Sequence, residues 1–201
     1  MSIEDTYMRL KERIPKNVQV LVACKYLSDA QITSLLQFPE LVFGENYVQD
    51  AQKRTIKIAR ERYHFIGKLQ RNKVRTAVKL FGTIQTVDSK KLAEKIAIVA
   101  REEKVTVTIY IQVNLEKDET HGGIGQEYLA DFISYVKKLQ NISLRGVMLL
   151  GKENENKVLF RKLRIIADQE QLKTSMGTSS DYTDAIKEKT DLIRLGRIFK
   201  E

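Results

Sequence analysis

The sequence predicts an α/β fold: one domain, residues 1–201, built as a (β/α)8 barrel of the TIM type. Three observations predict it. Eight short apolar, β-branched runs recur along the chain. Amphipathic helical stretches separate them, and strand–helix alternation implies parallel strands, because a helix must return the chain to the same edge. Finally, 201 residues with two prolines and ten glycines leave no linker and nothing spare for a second domain. A barrel of this kind typically takes ~250 residues, so its connections here must be short. The competing doubly wound sheet usually carries a Gly-rich first turn, whereas the first turn here is ACKYLSD.

Residues 3–13 read as a helix that packs outside the barrel. The eight strand runs are 18–25, 41–46, 63–68, 82–88, 105–114, 143–149, 172–177 and 191–196. The helical patterns between them are roughly 28–37, 47–60, 70–80, 89–103, 126–139, 153–170 and 180–188. Ser28, Ser89 and the Ser179-Ser180-Asp181 group sit where N-caps belong. Leu92, Ile96 and Val99 follow the i, i+4, i+7 spacing of a buried helix face.

Charge and composition exclude several classes. Lys and Arg number 35 against 26 Asp and Glu, a formal charge of +9. The excess is spread among acids, and its densest stretch, residues 68–79, carries no base-reading motif, so no nucleic-acid partner is expected. One cysteine, Cys24, excludes an internal disulfide framework, and with two histidines no metal site is expected. No signal peptide or membrane span is visible, so the expected location is cytoplasmic. A monomer is expected.

In a barrel the chemistry gathers at the C-terminal strand ends. Lys25 closes a run apolar enough to be buried. If it faces inward, lost hydration frees its amine for Schiff-base chemistry; the alternative is a lysine that reaches out to solvent. Cys24, its neighbour, turns to the opposite face and packs against a helix. The stretch SMGTSSD, residues 175–181, offers Ser175, Gly177, Thr178 and Ser179 ahead of a helix, and Arg194 and Gly196 follow on the next strand. Together they describe an anion site after strands 7 and 8. His64 lies inside an apolar strand and reads as a core residue. His121 reads as an exposed loop residue. Tyr47 and Phe65 read as core packing.

The motifs FGENYVQD (43–50), HFIGKLQRNK (64–73), IQTVDS (84–89), IQVN (111–114), LRGVM (144–148), SMGTSSD (175–181) and IRLG (193–196) stand in this order. The chain so resembles the YggS and proline synthase co-transcribed protein family of pyridoxal phosphate-binding homeostasis proteins, over about residues 18–199. The resemblance implies an alanine racemase N-terminal-domain-like barrel of fold type III with pyridoxal 5'-phosphate as cofactor. It implies that Lys25 holds the cofactor as a Schiff base. It sets Asn46, His64, Met148 and Met176 around the cofactor. Ser175, Gly177, Ser179 and Gly196 fall on the phosphate side, and Arg194 near the pyridine nitrogen. Arg197 stands where the family usually has a threonine, and is expected to lend the phosphate its charge.

The family is associated with vitamin B6 and amino-acid homeostasis without a defined reaction, and the partners implied are pyridoxal phosphate and pyridoxal phosphate-dependent apo-enzymes. An arginine at the ring nitrogen makes the ring a weak electron sink. The alternative is an amino-acid racemase, which would need a second base from a further domain that this chain has no residues to build.

Overall fold

The computed structural model describes residues 2–116, 122–151 and 156–200. Nine parallel strands are present among them: β1 Gln19–Ala23, β2 Val42–Glu45, β3 Tyr63–Phe65, β4 Thr83–Val87, β5 Val107–Asn114, β6 Ile124–Gly125, β7 Ile142–Leu149, β8 Lys173–Thr178 and β9 Leu192–Leu195. Their order is β4-β3-β2-β1-β9-β8-β7-β5-β6, and β4 also pairs with β5, closing eight of them into the predicted barrel. The ninth, β6, was not expected. Its two residues pair with Val113 and Asn114 on the edge of β5 above the point where β4 ends.

Eight helices are described: α1 Ile3–Arg13, α2 Asp29–Leu36, α3 Val48–Lys53, α4 Val74–Leu80, α5 Lys90–Glu102, α6 Gln126–Val136, α7 Asn156–Gln169 and α8 Tyr182–Lys187. The helix predicted over 47–60 shrinks to α3, because the chain leaves helical geometry at Arg54. The predicted 70–80 helix opens with a 3₁₀ turn, Arg71–Lys73. The predicted start of α7, 153–155, lies outside the described residues. Ser28 caps α2 through a capping box with Gln31, and Ser2 caps α1 in the same way with Asp5. Ser89 occupies the N-cap of α5 without a side-chain bond.

Alternation splits the strands between two cores. Val20, Val22, Phe43, Ile193 and Leu195 face the helices and join one large apolar layer with the inner faces of α1–α8. Leu21, Val42 and Leu192 face inward and form a small apolar cluster inside the barrel with Ile66. Beside Met148, the lumen further holds the polar side chains of His64, Gln85, Ser175 and Arg194, and this division positions the site. The basic stretch 68–79 is partly neutralised on the surface: Arg75 pairs with Glu102 and Glu103, and Lys79 with Glu103. No helix among the described residues is long and apolar enough to cross a membrane.

Candidate functional site at the barrel mouth

Lys25 stands one step beyond β1, in a 3₁₀ turn spanning Cys24–Tyr26. It is exposed, the second of the two alternatives left open by the sequence. The strand stops at Ala23, so alternation no longer governs where residue 25 points. Its Nζ lies 4.8 Å from the centroid of the Tyr26 ring. Tyr26 in turn packs on Gly196, where a Cβ would come within 2.5 Å of the ring. The Gly196 N–H donates to Ser179 Oγ at 3.2 Å. The structure brings Lys25, Gly196 and Ser179 together through Tyr26, with the Gly196 N–H engaged by the serine hydroxyl. Arg197 follows directly, exposed, in the turn Arg197–Phe199. Cys24 packs in the apolar layer, and burial pushes its thiol up to about 12.

The turn that carries Lys25 is held by a residue that sequence reasoning missed. Arg54 Nη2 donates to the Cys24 carbonyl at 2.9 Å, and Nη1 donates to Asp29 Oδ1 at 2.9 Å. Its Nε and Nη2 both reach Glu45 Oε2, at 3.1 and 2.9 Å. Glu45 has no exposed surface, and burial raises its carboxyl against the pull of Arg54. Asp29 also accepts from the Thr55 hydroxyl and N–H, at 2.6 and 2.7 Å, which with Arg54 hold it down at about 2.

Inside the barrel a one-way hydrogen-bond chain crosses the lumen. Arg194 Nη1 donates to Ser175 Oγ at 2.7 Å, Ser175 Oγ to Gln85 Oε1 at 2.7 Å, and Gln85 Nε2 to His64 Nδ1 at 2.8 Å. His64 must accept at Nδ1, so its proton sits on Nε2. Arg194 further donates to the Ser175 and Leu149 carbonyls, each at 2.8 Å. It is buried, with no carboxylate within ion-pair distance among the described residues, and burial lowers it to about 10. Burial and the positive field of Arg145 lower His64 to about 3, so it is neutral. Gln85 was not singled out, although a lone amide within the apolar strand TIQTV was the available signal.

The other predicted residues divide between lumen and wall. Met148 is fully buried and in register with Ser175, so it faces the lumen. Met176 does not: its side chain lies in the apolar layer beneath the helices, because alternation sends the neighbour of an inward Ser175 outward. Gly177 has φ +94, and a Cβ there would meet the Ala185 Cβ at 2.6 Å. Thr178 does not stand open as a donor: Asp181 Oδ1 accepts from its N–H at 2.6 Å and its hydroxyl at 3.0 Å. Asn46 ends β2 with Oδ1 buried and unpartnered among the described residues. Its carbonyl presses on Gly67, where a Cβ would come within 1.8 Å of it. Phe65 packs on Phe81 as expected, whereas Tyr47 is 63% exposed and not in the core. His121 lies outside the described residues.

The family model described as alanine racemase, N-terminal domain, matches residues 2–199. The chain belongs to this family. Among its curated relatives, the pyridoxal phosphate homeostasis protein of Aquifex aeolicus is 34% identical over 170 residues, 78% of this chain and 75% of the relative. The protein of the same name from Haemophilus influenzae is 28% identical over 208 residues, 96% of this chain and 88% of the relative. The solved structure of Synechococcus elongatus PipY with PLP bound superposes with a TM-score of 0.89 at 29% identity, covering all of both chains. An alanine racemase of Clostridium difficile superposes at 0.79 with 14% identity over 98% of this chain and 56% of its own, a likeness of fold alone. The family read from the motifs and the barrel of the alanine racemase N-terminal domain are thereby established.

Proposed function

We propose that this chain carries pyridoxal 5'-phosphate as a Schiff base on Lys25 and serves vitamin B6 homeostasis without a defined turnover. The names of its relatives and the PLP in PipY support the cofactor. The observation that carries the reading is Arg194: a buried cation beneath the mouth, held by carbonyls and a serine, without a carboxylate among the described residues. Such a charge is costly to bury and favours an electron-rich partner.

The residues present fit the group. Gly177 and Gly196 let the chain pack closely against α8 and Tyr26 beside the mouth, where the Ser179 hydroxyl, the Gly196 N–H it accepts from and the exposed Arg197 would face a phosphate. Asn46 Oδ1, unpartnered among the described residues, adds an acceptor. Met148 fills the lumen below. When bound, the cofactor supplies an aldehyde for an amine and a ring able to delocalise charge. Lys25 would supply the amine, Arg54 fixes its turn, and Arg194 would stand as the cation facing the ring nitrogen. A guanidinium keeps its proton at neutral pH, so the ring nitrogen stays unprotonated, which suits carriage. The acceptors are pyridoxal phosphate-dependent apo-enzymes.

The test is an absorption spectrum of the purified protein with added pyridoxal phosphate, followed by borohydride reduction and peptide mass analysis. The expected result is a visible band, bleached by borohydride, with the mass increment on the Lys25 peptide and none in Lys25→Ala. No band, or an increment on another lysine, sinks the proposal. Turnover of an amino-acid panel that disappears in Lys25→Ala would replace carriage with racemase-type chemistry.

A further inference from the structure

The opposite, N-terminal end of the barrel holds a cavity of about 670 Å³. It lies between the segment linking α1 to β1 and the lower strand ends. Ile14, Pro15, Val18 and Leu192 give it apolar walls. Its size falls in the range of small-molecule pockets, which run from ~300 to ~1,000 Å³. In barrels this end ordinarily serves stability, so a pocket lined by charge here calls for a cause.

The charges on its wall do not balance. Glu40 is taken by Lys11 and by the Tyr7 hydroxyl. Asp191 is taken by Lys173 and Arg164, at 2.8 and 2.7 Å. Two cations remain, Lys16 and Arg145, and neither has a carboxylate within ion-pair distance among the described residues.

Arg145 is aimed there by the backbone. The β5–β7 register steps from Ile109↔Leu144 to Tyr110↔Gly146, so Arg145 is the unpaired residue of a β-bulge. Bulges re-aim a side chain and recur beside functional sites. The next residue completes the arrangement. A Cβ on Gly146 would come within 2.6 Å of the Tyr110 ring, so the ring occupies the space where a side chain would stand. The Tyr110 hydroxyl shares a hydrogen bond with Arg145. A forked donor, a phenol and a lysine around an apolar-walled cavity match one chemistry, a carboxylate with an apolar body.

We propose that this cavity is a second ligand site, separate from the mouth, which binds a small organic carboxylate through Arg145, Lys16 and the Tyr110 hydroxyl. It stands independently of what Lys25 carries.

The test is an NMR titration of the ¹⁵N-labelled chain with benzoate and hexanoate as probes and benzamide as the neutral isostere. Saturable amide shifts are expected at residues 14–20, 110, 145–146 and 192 with a carboxylate, and none with benzamide. Arg145→Gln is expected to weaken binding at least about tenfold, what one charge-assisted hydrogen bond supplies. Lys16→Ala, on an exposed loop, repeats the test with a smaller loss should Arg145→Gln fail to fold. Benzamide acting as strongly as benzoate would overturn the proposal. So would shifts confined to residues 177–179 and 194–196, no saturable shift with either carboxylate, or undiminished binding in the folded variants.

Discussion

Arg54→Met tests the clamp beneath Lys25. The substitution keeps an unbranched apolar stem and removes four hydrogen bonds: two to Glu45, one to Asp29 and one to the Cys24 carbonyl. Asp29 keeps both bonds from Thr55, so its loss is small. Glu45 keeps only the Asn46 N–H at 3.2 Å and stays fully buried. Removing one partner of a buried ion pair costs about 3–5 kcal/mol, because it strands the other charge. At about 2–4 °C per kcal/mol for a chain of this size, the melting temperature should fall by roughly 6–20 °C.

The deficit should shrink in acid. Burial raises the folded-state pKa of Glu45 above its ordinary value of 4.5 while Arg54 pulls it down; without Arg54 the folded state takes the proton at higher pH than wild type, so the variant gains more stability as pH falls and the gap narrows. Adding Glu45→Gln should recover much of the loss at neutral pH. Calorimetric melts of the two single variants and the double variant at pH 7.5 and 5.5 measure all three effects. A loss below about 1 kcal/mol, the scale of an exposed pair, would refute the reasoning, as would a double variant no more stable than Arg54→Met.

Ser175→Ala removes the link between Arg194 and Gln85 and should cost about 1–3 kcal/mol in urea unfolding, the penalty of buried polar groups left without a partner. Gly67→Ala drives a methyl against the Asn46 carbonyl, a backbone atom that cannot yield cheaply; a loss of at least about 1–3 kcal/mol is expected in the same assay, together with weaker pyridoxal phosphate uptake. His64 titrates at about 3 in the fold against 6.5 as reference, so its contribution to stability is complete above 6.5 and drains away as pH falls from 6.5 toward 3. In His64→Gln that part of the stability–pH curve should flatten, and an unchanged slope would contradict the buried neutral imidazole.

The barrel was legible because its strands are short β-branched runs whose two faces are both buried, and such runs stand out in a charged sequence. Positions that depend on the end of an element were not legible. Lys25 was read by extending strand alternation two residues past Ala23, where the chain had already turned. Met176 is the opposite case: the same alternation, applied beside Ser175, would have sent it outward. Glu45 and Arg54 lie nine residues apart and meet only because α3 ends at Lys53 and returns the chain, which no local pattern announces. The bulge at Arg145 arises from a mismatch between two strands and is invisible in either alone. The motif resemblance named Lys25, Ser179 and Gly196 together, but it could not report that Ser179 and Asp181 already engage donors of the loop.

The polar lumen also constrains what the mouth can do. Arg194 at about 10 and His64 at about 3 sit on opposite sides of neutrality, so at neutral pH neither changes charge. Between them Gln85 and Ser175 are not acids or bases in this range, and their hydrogen bonds all run in one direction. The chain is therefore a scaffold with one fixed positive charge at its upper end and no group poised to take up or release a proton. General acid–base catalysis works best with a group whose pKa lies near the working pH, and this lumen offers none. On the proposed reading, a ring nitrogen set against Arg194 would meet a donor that keeps its proton, and the ring would not become the strong electron sink that carbanion chemistry demands. If the proposed cofactor sits here, any turnover would have to draw its proton transfers from Lys25 or from groups at the exposed rim, because among the described residues of this lumen none titrates near neutrality.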